Sequence, residues 1–283
     1  MTANTGVHRQ LSTHRAGTWE YYERTIANAV LQMTQDPSDE LDLKTLARTS
    51  GMSKYHFLRV FEAVTSVSPK RFLAAIRLHH AKALLLETSL SITDVMLEAG
   101  YSSTASFTRT FSEYVGAGPT AFRKRYAEIA GLSIGDLTAK ANPRIGETVG
   151  GRSLTIRITR SGARTGPIFV GLFQEAVPRR RPIVGTMIEE DEVCVLPVSH
   201  RVDRGFILAA GFHQGSPMKC YFLPTSESVI VGSAMVPLGT SDDWTSSSIC
   251  LELHRPRIFD PPILIALPLL LAIGGRAQIE RHA

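Results

Sequence analysis

The first half of the chain places its apolar residues at helical spacing. Tyr22, Ile26, Val30 and Met33 form a stripe that follows Thr18, a residue type that caps helix starts. Further helices are expected from Asp42 to Gly51, Ser53 to about Val64, Ser68 to about Glu87, Ser91 to Gly100, Thr104 to Tyr114, and from Pro119 onward. The pattern therefore predicts an all-α segment that extends to about Tyr126.

After Tyr126 the helical period disappears. Residues 129–152 are rich in Gly, Asn, Pro and Thr, as linkers are, and Leu154–Thr159 alternates apolar and polar residues as a half-buried strand does. Short apolar and β-branched runs follow at 168–173, 183–188, 192–195, 206–212, 220–223, 228–231 and 249–253. This spacing predicts a mainly-β domain, either an antiparallel sandwich or a small barrel, with an α+β effector domain as the alternative.

The helical segment contains an internal repeat at an offset of 50 residues. Five positions of the first copy recur in the second: Phe57 as Phe107, Arg59 as Arg109, Phe61 as Phe111, Pro69 as Pro119 and Phe72 as Phe122. In each copy a short helix, a glycine turn and a second helix precede or include these positions, which is the helix-turn-helix pattern. The repeat predicts two copies of one DNA-reading unit in a single chain.

Longer motifs surround the repeated positions. They are Leu46-Ala47 with Ser50–Phe61, then Arg77-Leu78-x-x-Ala81-x-x-Leu84-Leu85, then Ala99-Gly100-Tyr101-x-Ser103 with Phe107-x-Arg109-x-Phe111 and Gly116-x-Gly118-Pro119-x-x-Phe122-Arg123. On these residues the segment from about 20 to 126 resembles the DNA-binding domain of AraC/XylS-family transcription regulators. The resemblance implies seven helices, two helix-turn-helix units and a connecting helix that sets both units on one side of the duplex. Ser66 and Gly118 depart from the family's usual Gly and Ser.

The outward residues of the two second helices are the expected base-reading residues, because such helices enter the major groove. They are Lys54, Tyr55, Leu58 and Arg59 in the first copy, and Thr104, Ala105, Ser106, Thr108 and Arg109 in the second. Basic residues near helix ends are expected to contact phosphate instead. These are Lys70, Arg71, Arg123, Lys124 and Arg125. The alternative for Arg59 and Arg109 is that they only pair with acidic neighbours on the helix surface.

The second half carries a weaker resemblance. Gly166–Phe173, Pro182–Val184 and Gly205–Ala210 are similar to prealbumin-like, carboxypeptidase-regulatory sandwich domains. The resulting organisation is a disordered tail at 1–17, an AraC-type DNA-binding domain at 18–128, a linker at 129–152 and a β-rich companion domain at 153–283. The companion domain is expected to bind an effector or to mediate dimerisation only.

Composition limits the chemistry. The 283-residue chain has a net charge of +5, which permits nucleic-acid binding without arguing for it. Its three cysteines, Cys194, Cys220 and Cys250, have apolar or aromatic neighbours and no metal-ligand spacing. We therefore predict no enzyme activity, no catalytic residue, no metal and no cofactor. A DNA-binding module fused to a repair-like enzyme is the alternative, and it would need an activated cysteine that these contexts do not favour.

The expected partners follow from the family resemblance. They are double-stranded DNA and RNA polymerase at promoters, together with a small-molecule effector and a second copy of the chain. No membrane partner is expected, because Met1–Gly17 lacks the apolar core of a signal peptide and the apolar run Pro261–Gly275 is short and broken by Pro268. A cytoplasmic transcription regulator is the resulting prediction.

Overall fold

The computed structural model divides into two compact units. It describes residues 16–37, 41–138, 145–146, 152–160, 165–179, 181–188, 192–198, 204–238 and 246–266. The first unit comprises Met1–Glu113, Ala117–Arg123 and Arg257–Leu264; the second comprises Tyr114–Gly116, Lys124–Pro256 and Ile265–Ala283. The sequence placed the segment Arg257–Leu264 in the β-rich part, whereas in the structure this segment groups with the helices.

Helices occupy the first half of the chain, as the apolar spacing predicts. They are α1 (Ala16–Gln35), α2 (Leu43–Thr49), α3 (Lys54–Thr65), α4 (Pro69–Glu87), α5 (Ile92–Glu98), α6 (Thr104–Val115) and α7 (Pro119–Ile129). A further short helix, α8 (Ile134–Thr138), lies where the sequence suggested only a linker. Among the described helices, none combines the length and the apolar character that a membrane crossing requires.

Side-chain caps begin several of these helices where the sequence predicts them. The Asp42 carboxylate accepts a hydrogen bond from the Thr45 backbone N–H (2.7 Å), and the Ser53 hydroxyl accepts one from the His56 backbone N–H (3.3 Å). Ser91 forms a reciprocal capping box at the start of α5. Each cap satisfies backbone donors that have no partner within the helix, so helix starts are encoded locally.

The β-rich unit contains two sheets. Its strands are β1 (Ile145–Gly146), β2 (Arg152–Arg160), β3 (Thr165–Phe173), β4 (Val184–Ile188), β5 (Val193–Val198), β6 (Arg204–His213), β7 (Val229–Pro237) and β8 (Ser246–Leu253). One sheet has the order β1-β4-β3-β6-β7 and the other β5-β2-β8. The mainly-β character predicted for this part of the chain is confirmed.

One strand pairing departs from the all-antiparallel expectation. β2 pairs with β8 in parallel, from Ser153 opposite Ser246 to Arg160 opposite Leu253, whereas the other named strand pairs are antiparallel. A parallel pair needs a long crossover rather than a hairpin. The chain between β2 and β8 provides this crossover and forms the larger sheet on the way. No short stretch of sequence indicates that β2 and β8 pair in parallel.

Both sheets contribute to one hydrophobic core. β2 alternates buried and more exposed residues along most of its length, as its sequence predicts. Its buried Leu154, Ile156 and Ile158 belong to the same cluster as Val170 of the larger sheet and Leu251 of β8. The burial of one face of each sheet in a shared core explains why the unit is compact.

The run Cys220–Leu223 was expected to be a strand, and this prediction is wrong. Residues Met218–Phe222 form a one-turn helix, α9, with Pro217 at its N-cap position. The Tyr221 ring lies 4.4 Å from the Phe212 ring, centroid to centroid, and Tyr221 is fully buried. A four-residue apolar run has no readable period, so packing against β6 decides its conformation.

Several sequence-based interpretations lie outside the described residues. They concern the tail over 1–15 and the apolar stretch from 267 to 275.

Candidate nucleic-acid interface

The two predicted helix-turn-helix units are present. In the first, α2 and α3 are separated by residues 50–53; in the second, α5 and α6 are separated by residues 99–103. The second turn is therefore one residue longer. In both turns a glycine follows the first helix with a positive φ, 64° at Gly51 and 75° at Gly100, a conformation that costs residues with a side chain more than glycine.

The repeated aromatic residues form the same cluster in each unit. The ring centroids of Phe57 and Phe61 lie 5.6 Å apart, and Phe61 meets Phe72 edge-on at 5.6 Å. In the second unit, Phe107 and Phe111 are 5.6 Å apart, and Phe111 meets Phe122 edge-on at 5.5 Å. All six rings are essentially inaccessible to solvent. The repeat in the sequence is thus a repeat of the core that holds each second helix.

The two copies differ where the second helix ends. Ser66 follows α3 with φ 59°, in the left-handed region. Gly116 follows α6 with φ 91°, and open space surrounds the position where its Cβ would lie. A left-handed conformation costs an ordinary residue roughly 1–2 kcal/mol. The departure noted at Ser66 in the sequence therefore corresponds to a strained turn that the second copy avoids.

The predicted base-reading residues lie on the outer faces of α3 and α6. Leu58 and Ser106 are half-buried, and the remaining members are exposed: Lys54, Tyr55, Arg59, Thr104, Ala105, Thr108 and Arg109. Tyr55 is 83% exposed, which is unusual for an aromatic side chain in a packed domain. Each exposed position of α3 corresponds to the position of α6 that lies 50 residues later in the sequence.

An arginine occupies the same position in both faces, in different surroundings. Arg59 donates a hydrogen bond to Nδ1 of His56 (3.2 Å), one turn earlier on α3. For Arg109, no hydrogen bond or ion pair is found within the part of the chain that the structure describes. Neither arginine pairs with an acidic side chain of the described residues, so the surface ion pair that the sequence left open is not what these residues form.

The predicted phosphate-contact residues occupy different environments. Lys70 and Lys124 are exposed, and Arg71 is half-buried. Arg125 forms an exposed ion pair with Glu128 (3.0 Å). Exposed pairs of this kind contribute little to stability, so Arg125 can exchange its carboxylate partner for another anion.

Arg123 is engaged within the helical unit. Its Nε donates to the Leu85 carbonyl (3.0 Å) and its Nη2 donates to the Leu90 carbonyl (2.8 Å). Leu85 lies in the last turn of α4, where carbonyls lack partners within the helix. Arg123 therefore caps the end of the connecting helix from α7.

Lys82 was not singled out from the sequence. It lies on α4 with an exposure of 0%, and its ammonium donates to the carbonyls of Ile263 (3.1 Å) and Leu264 (2.9 Å). Burial lowers its pKa from 10.5 to about 7. The available signal was its spacing, because Leu78, Lys82 and Leu85 are related by four and three residues and thus share a helix face.

The described residues contain no group of three or more His, Cys, Asp or Glu side chains that could hold a metal ion. Burial raises the pKa of the Cys194 thiol to about 11, which disfavours the thiolate that a nucleophilic cysteine needs. The repair-like alternative requires an activated cysteine, and the environment of Cys194 does not favour one.

Comparison with known proteins identifies the helical segment. Residues 46–125 match the family model described as "Helix-turn-helix domain". An uncharacterised HTH-type transcriptional regulator of Haemophilus influenzae is 32% identical over 102 residues, which are 36% of this chain and 34% of that protein. The melibiose operon regulatory protein of Escherichia coli K12 is 26% identical over 118 residues, 42% of this chain and 39% of that protein. This chain thus spans little more than a third of the length of these relatives.

Two solved structures are similar to the same part of the chain. A transcriptional regulator with an AraC-type DNA-binding domain from Chromobacterium violaceum is 27% identical, covers 41% of this chain and 99% of its own, and has a TM-score of 0.35. The DNA-binding domain of AdpA, solved in complex with a target DNA, is 26% identical over 38% of this chain and 97% of its own, with a TM-score of 0.37. The family match and the paired helix-turn-helix geometry together establish that residues 46–125 of this chain are a helix-turn-helix domain.

Proposed function

We propose that this protein is a sequence-specific, DNA-binding transcription regulator of the AraC/XylS type, which reads two successive major-groove segments with α3 and α6. The observation that carries the proposal is the pair of solvent-exposed helix faces, each held by the same buried aromatic cluster. Curated relatives of the helical segment are transcription regulators, which supports the same conclusion.

The two helices are suited to different base sequences. Tyr55, Leu58 and Arg59 of α3 correspond in position to Ala105, Thr108 and Arg109 of α6. An arginine can form two hydrogen bonds with guanine, whereas alanine and the threonine methyl can contact the methyl group of thymine. We therefore expect a guanine at the equivalent position of both segments and a different sequence around it in each, so that the DNA site as a whole is not a repeat.

The backbone contacts belong to the basic residues outside these faces. Lys70, Arg71, Lys124 and Arg125 are the proposed phosphate contacts, which position the protein without reading sequence. Arg123 was predicted with them, but its two hydrogen bonds within the helical unit favour a positioning role. Stability and salt-dependence measurements separate this positioning role from phosphate contact.

We propose that the β-rich unit binds an effector or mediates dimerisation. RNA polymerase, a small-molecule effector and a second copy of the chain are the partners proposed from the family resemblance. Val193 and Val195 are exposed on β5, an edge strand of the smaller sheet, which favours association between copies over a purely monomeric regulator. Sedimentation at several concentrations tests association, and a thermal-shift screen with metabolites tests effector binding.

The decisive experiment is selection of DNA sites from a random library with the full chain, followed by measurement of variants on the selected site. Arg109→Ala is expected to weaken binding by about 1–3 kcal/mol and to relax the preference at one base pair. The matched control is Arg157→Ala, which removes an exposed arginine of β2 and should leave the affinity unchanged. Equal binding by Arg109→Ala and the unaltered protein, or an equal loss in Arg157→Ala, would contradict the assignment of α6 as a reading helix.

A further inference from the structure

A buried cation connects the middle of α4 to a segment near the end of the chain. Lys82 is fully buried, and its ammonium donates to the adjacent carbonyls of Ile263 and Leu264 at 3.1 and 2.9 Å. We call Arg257–Leu264 the C-terminal strap. It belongs to the helical unit by its contacts, although 181 residues separate Ile263 from Lys82 and the β-rich strands lie between them in sequence.

The strap has features of a docked peptide. A turn begins it, in which the Asp260 carboxylate accepts from the Arg257 backbone N–H (2.6 Å). Pro261 and Pro262 follow, which lack backbone donors and hold the chain extended without needing partners. Leu264 is 1% exposed. A rigid, donor-poor segment of this kind loses little conformational freedom when it docks, and it presents its carbonyls in a fixed direction.

The ammonium of Lys82 makes this docking specific. An ammonium buried away from water is strongly unfavourable unless hydrogen-bond acceptors surround it. Ile263 and Leu264 provide two acceptors, so the docked strap stabilises the amino group of Lys82 in its buried position. His79, one turn earlier on α4, does not contribute an acceptor in this arrangement, because its buried Nδ1 makes no hydrogen bond with any described residue.

We propose that the C-terminal strap is an internal peptide ligand of α4 that holds this helix in the conformation required to space the two reading helices on DNA. The inference rests on the proposed function, because α4 connects the two helix-turn-helix units. At 1.5 Å per residue, its 19 residues span about 28 Å. A rod of that length sets the distance between α3 and α6, and its stiffness determines how sharply that distance is defined.

The strap is also the covalent continuation of β8. β8 ends at Leu253, and His254 exchanges two backbone hydrogen bonds with Val231 of β7 (2.8 and 2.9 Å). Only Arg255 and Pro256 separate this pairing from the start of the strap. The backbone of the strap and its hydrogen bonds with Lys82 therefore form a continuous connection from the end of β8 to α4.

The test uses the full chain with Lys82→Met, which removes the ammonium and keeps the length of the side chain. Hydrogen exchange of the amides in 258–260 and 263–266 should become about tenfold faster, because the segment leaves α4 more often once its two carbonyls have lost their donor. Amides of β3 and β6 should keep their exchange rates. The matched control is Lys44→Met, the same substitution at an exposed position of α2, which should leave the strap amides unchanged.

The second measurement is the affinity for the selected DNA site and for versions with one base pair added or removed between the two segments. The unaltered protein should discriminate against altered spacing, whereas Lys82→Met should lose most of that preference and bind the selected site about tenfold more weakly. Leu264→Ala, which weakens the strap from the other side, should change the spacing preference in the same direction. If amides throughout Lys82→Met exchange rapidly because that variant is unfolded, the result for Leu264→Ala is used instead.

The outcomes separate the two proposals. Unchanged strap exchange in both Lys82→Met and Leu264→Ala would overturn docking of the strap at Lys82. A loosened strap with unaltered DNA affinity and unaltered spacing preference would overturn its control of the reading helices. If the unaltered protein selects no DNA sequence, the proposed function fails, and the exchange measurement still judges the docking.

Discussion

The clearest quantitative prediction concerns Arg123 at the junction of α7 and α4. Its guanidinium donates to the carbonyls of Leu85 and Leu90, at 3.0 and 2.8 Å, in a partly buried position. Arg123→Met removes both donors and keeps most of the apolar stem. The Leu85 carbonyl then loses its cap near the end of α4, and the segment that leads into the second helix-turn-helix unit loses a tie at Leu90.

The magnitude follows from the kind of bond that is lost. A hydrogen bond to a charged group contributes about 1.5–3 kcal/mol when buried, and partial access of water to both carbonyls reduces this contribution. We therefore expect the free energy of unfolding of Arg123→Met to fall by about 2–3 kcal/mol. A phosphate-contact residue would behave differently, because its substitution leaves the stability of the free protein nearly unchanged.

Two measurements distinguish these roles: urea denaturation of the free protein, and the dependence of DNA affinity on salt concentration. A phosphate contact adds about 0.9 to the slope of log K against log salt. Lys124→Met, at the neighbouring exposed lysine, should reduce the slope by about 1 and change the stability by no more than about 0.5 kcal/mol. Arg123→Met should lower the stability and leave the slope as it is.

The reasoning would be refuted if Arg123→Met kept the unfolding free energy of the unaltered protein and reduced the salt slope as much as Lys124→Met does. Arg123 would then leave its two carbonyls to bind phosphate, as the sequence first suggested. Arg123→Lys gives a further check, because lysine keeps the charge but cannot donate to two carbonyls from one planar group.

Two more predictions concern stability. Ser66→Gly should stabilise the protein by about 1 kcal/mol and Gly116→Ala should destabilise it by a similar amount, since both residues have a left-handed backbone; denaturation curves that move the same way would contradict this. Burial, with the nearby charges of Lys82 and His80, lowers the pKa of His79 to about 4. Above pH 6.5 the imidazole is neutral in the folded and the unfolded chain alike; between pH 6.5 and 4 only the unfolded chain binds the proton, so up to about 3 kcal/mol of stability is lost as the pH falls. His79→Leu should flatten this part of the stability profile.

Most of the helical segment was predictable because its signals are local. Capping at Asp42, Ser53 and Ser91 uses a side chain and a backbone donor three residues apart, so a short window of sequence contains both partners. The repeat at an offset of 50 added the information that two such units exist. Ser66 was recognisable as a departure, and its positive φ accounts for why glycine is the usual residue there.

The candidate site was less completely predictable. The exposure of the residues expected to read bases followed from helical periodicity, since Phe57 and Phe107 mark the opposite, buried face. The hydrogen bonds of Arg123 did not follow, because Leu85 and Leu90 lie more than thirty residues away and an arginine near a helix start reads as a surface residue. The positive charge of an arginine does not by itself show whether its side chain contacts phosphate or caps the carbonyl end of a helix.

The sequence by itself determined the approximate positions of α1 to α7, the relation of these helices as two similar units, and which faces of α3 and α6 remain available to a partner. Those properties depend on interactions within a few residues and on a repeat that can be read directly. Tertiary structure alone decided the parallel pairing of β2 with β8, the helical conformation of Met218–Phe222 and the burial of Lys82 against the C-terminal strap. For the β2–β8 pair and for Lys82 the partner is distant in the chain, and in all three cases the free energy gained by packing outweighs the local preference.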